Sequence, residues 1–131
     1  MGPLMEQMEG GAQLAEKFYK TPDAQQAILL RFIAYDPQDL NGKLTRSHYD
    51  KNGFTLALWE DKPGLRIGQD ENTLALQPYH NQEAYFFLGT AASQYLTTAF
   101  PLGWHDAIQL EARKADMPPV VRWAIVAFIY Q

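Results

Sequence analysis

The feature that most constrains the fold is an apolar run near the C-terminus, residues 120–130, which reads VVRWAIVAFIY. Five of its residues are β-branched and three are aromatic, and such side chains pack well on a pleated sheet. The run is too short to span a bilayer, which needs about 20 apolar residues. We predict a central strand buried on both faces, with a buried helix that begins after Pro118-Pro119 as the alternative.

The composition indicates one domain that spans residues 1–131 and has an ordinary apolar core. The sequence has no cysteine, which excludes disulfides, thiolate chemistry and iron–sulfur clusters. Its net charge is -4, and an acidic chain without a Lys/Arg cluster is poorly suited to nucleic acid. Because no secretory leader or membrane segment is evident, we expect a cytoplasmic protein without a membrane partner.

Two helices are predicted before the first turn-rich region. Residues 12–20 have apolar positions at helical spacing, and a Met-rich stripe nearby is either core or a partner-binding face. Thr21-Pro22-Asp23 has the residue types of a helix start, which predicts a second helix as far as Ala34. A strand over residues 27–35 is the alternative for that second segment.

The remaining chain reads as short strands separated by turns. We predict strands at residues 54–59, 65–67, 73–76, 84–88 and 107–114, with one helix over residues 90–100. The resulting fold class is α+β, in which two N-terminal helices pack on a curved antiparallel sheet, forming a roll. This element order resembles the NTF2-like and cystatin-like families.

Residues 36–49 resemble an EF-hand calcium loop. If Gly42 is the turn glycine, Asp39 and Asn41 fall on ligand positions, while Pro37 and His48 occupy the first and last positions, where carboxylates are needed. The sequence therefore predicts no calcium binding tighter than about millimolar, and a surface turn at Asn41-Gly42 is the alternative.

The three histidines are the side chains best suited to acid/base chemistry near neutral pH. His48 lies in an H-x-D pattern with Asp50, and His80 and His105 follow at separations of 32 and 25 residues. Since this spacing carries no local metal-ligand signal, we predict no metal, no cofactor and no catalytic residue. An acid/base enzyme that uses His105 or His80 is the alternative.

The candidate ligand-binding residues are aromatic rings and histidines at predicted loop ends, together with a cation in the apolar run. They are Tyr79, His80, Trp104, His105 and Arg122. Arg122 is predicted to pair with Glu111 on a neighbouring strand or to bind an anionic ligand. These residues favour a non-catalytic binding protein for a small molecule or a protein partner. A protein-binding adaptor or inhibitor is a further alternative, and a homodimer is one option for the assembly.

Overall fold

The fold consists of two antiparallel β-sheets. The structure is a computed structural model that describes residues 27–35, 43–79, 83–96, 101–110 and 121–130. Its strands are β1 (Ala27–Tyr35), β2 (Phe54–Glu60), β3 (Leu65–Gly68), β4 (Ala75–Leu76), β5 (Tyr85–Leu88), β6 (Trp104–Ala107) and β7 (Arg122–Tyr130). Thr90–Gln94 forms a 3-10 helix between β5 and β6.

The order of the strands is that of a jelly roll. One sheet has the order β1-β7-β2-β5 and the other has the order β4-β3-β6. Isolated bridges from Lys43 to Ile108 and from His48 to His105 place residues 43–48 on the free side of β6. Most neighbouring strands are therefore not consecutive in the chain, as in a double Greek key.

The predicted α+β roll is wrong. Residues 27–35 form the edge strand β1, where a helix was predicted, because tertiary pairing with β7 along all nine positions outweighs the local start signal at residues 21–23. The first predicted helix lies outside the described residues. Among the described residues of the predicted helix 90–100, only the short 3-10 helix is formed. Because residues 27–35 form a strand, the predicted NTF2-like and cystatin-like order of elements is also wrong. The strands do not follow one another as in a simple meander, since most neighbouring strands are distant in the sequence.

The apolar run does form a central strand, as predicted. β7 pairs with β1 on one side and with β2 on the other. It is not buried on both faces, because Trp123 remains 49% exposed. The predicted neighbour at residues 107–114 is also wrong, since β1 and β2 occupy both edges of β7.

Four other predicted strands correspond to β2, β3, β4 and β5. Of the strand predicted at residues 107–114, Ala107 is the residue that belongs to β6. This strand begins earlier than predicted, at Trp104, where the sequence suggested a loop. Residues 111–120 lie outside the described part of the chain. Within the described part, no helix has the length and apolar character needed to cross a membrane.

The two faces of the larger sheet have different roles. Its outer face carries a core cluster of Phe54, Leu88, Ala92 and Ile129. Its inner face, together with the smaller sheet, encloses a cavity of about 240 Å³. Alternation along β7 directs Arg122, Ala124, Val126 and Phe128 toward this cavity.

Candidate metal centre

Three side chains with metal-binding atoms converge at one end of the cavity: His48, Asp50 and His105. Their ligand atoms all lie within 4.8 Å of one another. Asp50 Oδ1 is 3.2 Å from His48 Nε2 and 3.5 Å from His105 Nε2. Asp50 and His105 are buried, whereas the side chain of His48 is 45% exposed, so that the cluster has one open side.

The backbone places the two imidazoles side by side. His48 and His105 form an antiparallel bridge in which each amide N–H donates to the other residue's carbonyl oxygen at 3.0 Å. Directly opposed residues direct their side chains to the same face. Their ring centroids are consequently 4.4 Å apart.

Each imidazole is held by a hydrogen bond at the nitrogen that faces away from Asp50. His48 Nδ1 lies 2.6 Å from the carbonyl oxygen of Arg46, and His105 Nδ1 lies 2.8 Å from that of Gly103. A carbonyl oxygen can only accept, so Nδ1 carries a proton in each ring, and Nε2 is the nitrogen that faces the cluster. Burial also lowers the pKa of His105, despite the opposing effect of Asp50, and this favours the neutral imidazole that binds metals.

The carboxyl group of Asp50 is oriented by a buried hydroxyl. Thr55 Oγ1 donates to Asp50 Oδ2 at 2.6 Å, which leaves Oδ1 for the two histidines. Asn52 Nδ2 in turn donates to Thr55 Oγ1 at 3.2 Å and to the carbonyl oxygen of Phe54 at 2.5 Å. Partners of this kind fix the direction of a metal ligand and support its affinity.

The segment that carries Asp50 is anchored to the chain after β5. The amide of Thr90 donates to the carbonyl oxygen of Asp50 at 2.8 Å. Gly89 packs so closely on this segment that a Cβ atom there would lie 2.0 Å from the carbonyl oxygen of Asn52. A larger residue at position 89 would therefore displace the segment that presents Asp50.

The distances and donor types fit one octahedral metal ion. Two ligand atoms that bind an ion at about 2.1 Å and at right angles lie about 3.0 Å apart, a few tenths of an ångström below the two distances from Asp50 Oδ1 to the histidine Nε2 atoms. Two imidazoles and one carboxylate fill three positions of such an ion and leave the others open. This donor set is characteristic of non-haem iron(II) oxygenases.

A buried ion pair closes another part of the same cavity. Arg122 Nη2 donates to Glu60 Oε2, and Arg122 Nε donates to the carbonyl oxygen of Lys62 at 3.2 Å. The guanidinium also lies 5.3 Å from the ring centroid of Tyr35. The acid that pairs with Arg122 is therefore Glu60, and the predicted partner Glu111 lies outside the described residues.

The five predicted binding residues have different positions. His105 and Arg122 line the cavity. Tyr79 is on the surface, where its hydroxyl donates to the carbonyl oxygen of Asp61 at 3.1 Å. Trp104 donates to Glu71 at 3.0 Å and meets Tyr49 edge to face. His80 lies outside the described residues.

Sequence reasoning missed the cluster as a unit. It noted the H-x-D pattern of His48 and Asp50. It then considered only the spacing between the three histidines, and it did not combine the H-x-D pattern with His105 as a third ligand. It also missed Thr55 and Glu60. Asp106, which follows His105, accepts two hydrogen bonds from Arg66 at 2.8 and 2.6 Å and is not part of the cluster.

Comparisons with known proteins define the fold. No family model and no curated protein matches this sequence. Among solved structures, the chain is similar to the crystal structure of a "Putative oxygenase" from Shewanella oneidensis, with a TM-score of 0.68 and 19% sequence identity. The match covers 89% of this chain and 42% of that one, so the present chain spans less than half the length of its structural neighbour. The two proteins share this jelly-roll fold.

Proposed function

We propose that His48, Asp50 and His105 hold one iron(II) ion and that the chain carries the metal centre of a non-haem oxygenase. The observation that carries this proposal is the convergence of two Nε2 atoms and one carboxylate oxygen at an open cavity. The similarity to a structure described as an oxygenase supports the same choice among metal-dependent reactions. The proposal replaces the non-catalytic binding protein favoured by the sequence alone.

The protein's residues have separate roles in this proposal. Iron(II) bound to the three ligands would supply the activation of dioxygen. The carbonyl oxygens of Arg46 and Gly103 hold the Nδ1 sides of the two rings so that both Nε2 atoms face the ion, and Thr55 holds Asp50 in place. The cavity walls hold a small organic substrate beside the open side of the cluster and limit the access of water.

Arg122 is proposed to bind a carboxylate in the same cavity. Insertion of one oxygen atom into a substrate bond uses two electrons from the substrate, and the second oxygen atom requires two more from another donor. A 2-oxo acid can supply them, since its oxidative decarboxylation gives carbon dioxide and the acid that is one carbon shorter. The planar guanidinium of Arg122 suits such a carboxylate.

The test is an anaerobic calorimetric titration of the protein with iron(II). We expect one ion per chain. Loss of a hydrogen-bond partner of a metal ligand lowers the affinity for the metal by roughly 10- to 100-fold. The loss of a ligand itself should lower it further in each of three variants, His48→Ala, Asp50→Asn and His105→Ala. Asp70→Asn is the matched control, because it makes the same chemical change in an exposed turn and should bind iron normally.

A second measurement tests the reaction type. Oxygen consumption by the iron-loaded protein in the presence of a 2-oxo acid should exceed that of the Asp50→Asn variant, even without the natural substrate. Iron binding that is unaffected by all three ligand variants would refute the proposed centre. Absence of iron binding in the unaltered protein would instead favour a non-catalytic ligand-binding role for the cavity.

A further inference from the structure

Glu60 faces the cavity because of an irregularity in β2. The ladder between β2 and β7 pairs Ala57 with Val126 and Glu60 with Ala124, with a register shift between Ala57 and Trp59. Leu58 is the extra residue of this bulge. Glu60 therefore shares the inner face with Ala57, where strict alternation from Ala57 would have directed it outward.

The Glu60–Arg122 pair is buried and only partly satisfied. Arg122 is 5% exposed and Glu60 is 8% exposed. Glu60 Oε2 accepts from Arg122, whereas Oε1 is the one buried side-chain polar atom without a hydrogen-bond partner among the described residues. A buried ion pair contributes little net stability even when its oxygens are all satisfied, and here one oxygen of the carboxylate is left without a partner.

An anionic ligand at Arg122 would compete with Glu60. Two carboxylates against one guanidinium in a buried site repel each other, and such pairs respond by binding a proton. Burial already raises the pKa of Glu60, although the charge of Arg122 opposes this effect. The other titratable groups that interact with Glu60 or with Arg122 from the surrounding described elements are Tyr35, Asp61 and Tyr85.

We propose that Glu60 determines the charge of the ligand that Arg122 accepts, so that a carboxylate enters the cavity together with one proton, which Glu60 binds. This inference rests on the proposed role of Arg122 as a carboxylate site, and it does not depend on the metal. With Glu60 ionised, the Glu60–Arg122 pair is neutral and offers an anion little attraction. With Glu60 protonated, the pair carries one positive charge that matches a carboxylate.

The experiment is calorimetric titration of the full chain with succinate, in two buffers that differ in ionisation enthalpy, from pH 6 to 8. The protein is measured both without metal and with iron(II). We expect succinate binding to take up close to one proton. The pKa of Glu60 should be higher in the succinate complex than in the free protein. Between these two pKa values, the affinity for succinate should rise by up to tenfold for each pH unit by which the pH falls.

Three variants separate the effect of Glu60 on succinate binding from the effects of other charged groups in the cavity. Glu60→Gln should bind succinate more tightly than the unaltered protein at pH 8 and should lack the proton uptake. Glu83→Gln removes one carboxylate from the same cavity lining, so it should shift the affinity uniformly and retain the pH slope. Arg122→Gln should abolish binding. The proton uptake of the unaltered protein is itself a readout that does not depend on the folding of any variant.

Two results would overturn the inference: proton uptake that is unchanged in Glu60→Gln, or no binding of succinate by the unaltered protein at any pH. Failure of the metal centre would be recognised separately, as absent iron binding alongside intact, pH-dependent binding of succinate. Normal iron binding with no effect of Glu60→Gln on succinate would leave the metal centre standing and refute the role of Glu60.

Discussion

The hydroxyl of Thr55 offers the sharpest test of how the candidate metal centre is oriented. Thr55→Val keeps the shape of the side chain and removes only the donor that meets Asp50 Oδ2 at 2.6 Å. Thr55 is 1% exposed, so water cannot readily take the place of the hydroxyl. Asn52 loses one acceptor but keeps the carbonyl oxygen of Phe54.

Two magnitudes follow from this geometry. Loss of an outer partner typically lowers metal affinity about 10- to 100-fold, which corresponds to about 1.4 to 2.7 kcal/mol. Leaving Asp50 Oδ2 without its donor costs about 1 to 3 kcal/mol of folding free energy. At roughly 2.1 cal/mol/K of unfolding entropy per residue, that cost lowers the melting temperature of a chain of this length by about 4 to 11 °C.

The assay is anaerobic titration with iron(II), together with thermal unfolding of the metal-free protein. Thr55→Ser is the matched control, because it restores the hydroxyl and should recover most of the affinity for iron. If Thr55→Val bound iron as tightly as the unaltered protein, the hydroxyl could not be what orients Asp50. Equal losses in both variants would show that a hydroxyl at position 55 does not restore the affinity for iron, and would also refute the reasoning.

Three further predictions concern stability. Phe54 is fully buried, and Phe54→Ala should lower the free energy of unfolding by about 3 to 5 kcal/mol in denaturant unfolding. Trp123 is half-exposed, so Trp123→Ala should cost no more than about half of that. Equal losses would contradict the observed burial. Arg122→Met should destabilise the protein by about 3 to 5 kcal/mol because it leaves Glu60 buried without its partner. Adding Glu60→Met to the same chain should recover most of that loss, and no recovery would refute the pairing. Burial tends to raise the pKa of Asp106, but hydrogen bonds from its arginine partner outweigh this and lower it, so its contribution is present above the unfolded pKa of about 3.9 and is lost as the pH falls through the lower folded value. Asp106→Asn should abolish this part of the acid-induced decrease in the unfolding midpoint, and an unchanged pH profile would contradict it.

The strands could be predicted from the sequence where their composition was unambiguous. β7 and β2 are rich in β-branched or aromatic residues and are bounded by turn residues, which favoured a strand in both cases, over the alternative of a buried helix for β7. β1 could not be assigned in this way, because AILLRFIAY has apolar residues at both helical and alternating positions. Its state is decided by pairing with β7, 87 to 103 positions later in the chain, and local propensity does not report such pairing.

The candidate site was accessible to sequence reasoning only in part. Arg122 and His105 stood out because a cation in an apolar strand and a histidine beside a tryptophan are locally conspicuous. The cluster itself depends on an unpredicted crossing of the chain, which brings His48 and Asp50 to β6. Glu60 depends on a bulge, and a one-residue register shift reverses which face a side chain occupies.

The bridge between His48 and His105 has a consequence for folding kinetics. The two histidines are 57 residues apart in the sequence, so their contact closes a loop that includes β2, β3, β4 and β5. Loop closure costs entropy that only later contacts repay, and chains dominated by such distant pairings fold slowly. Metal-ligand geometry is therefore absent from early, locally structured states of the chain. Iron(II) added during refolding should leave the initial rate unchanged and should slow unfolding once the bridge has formed.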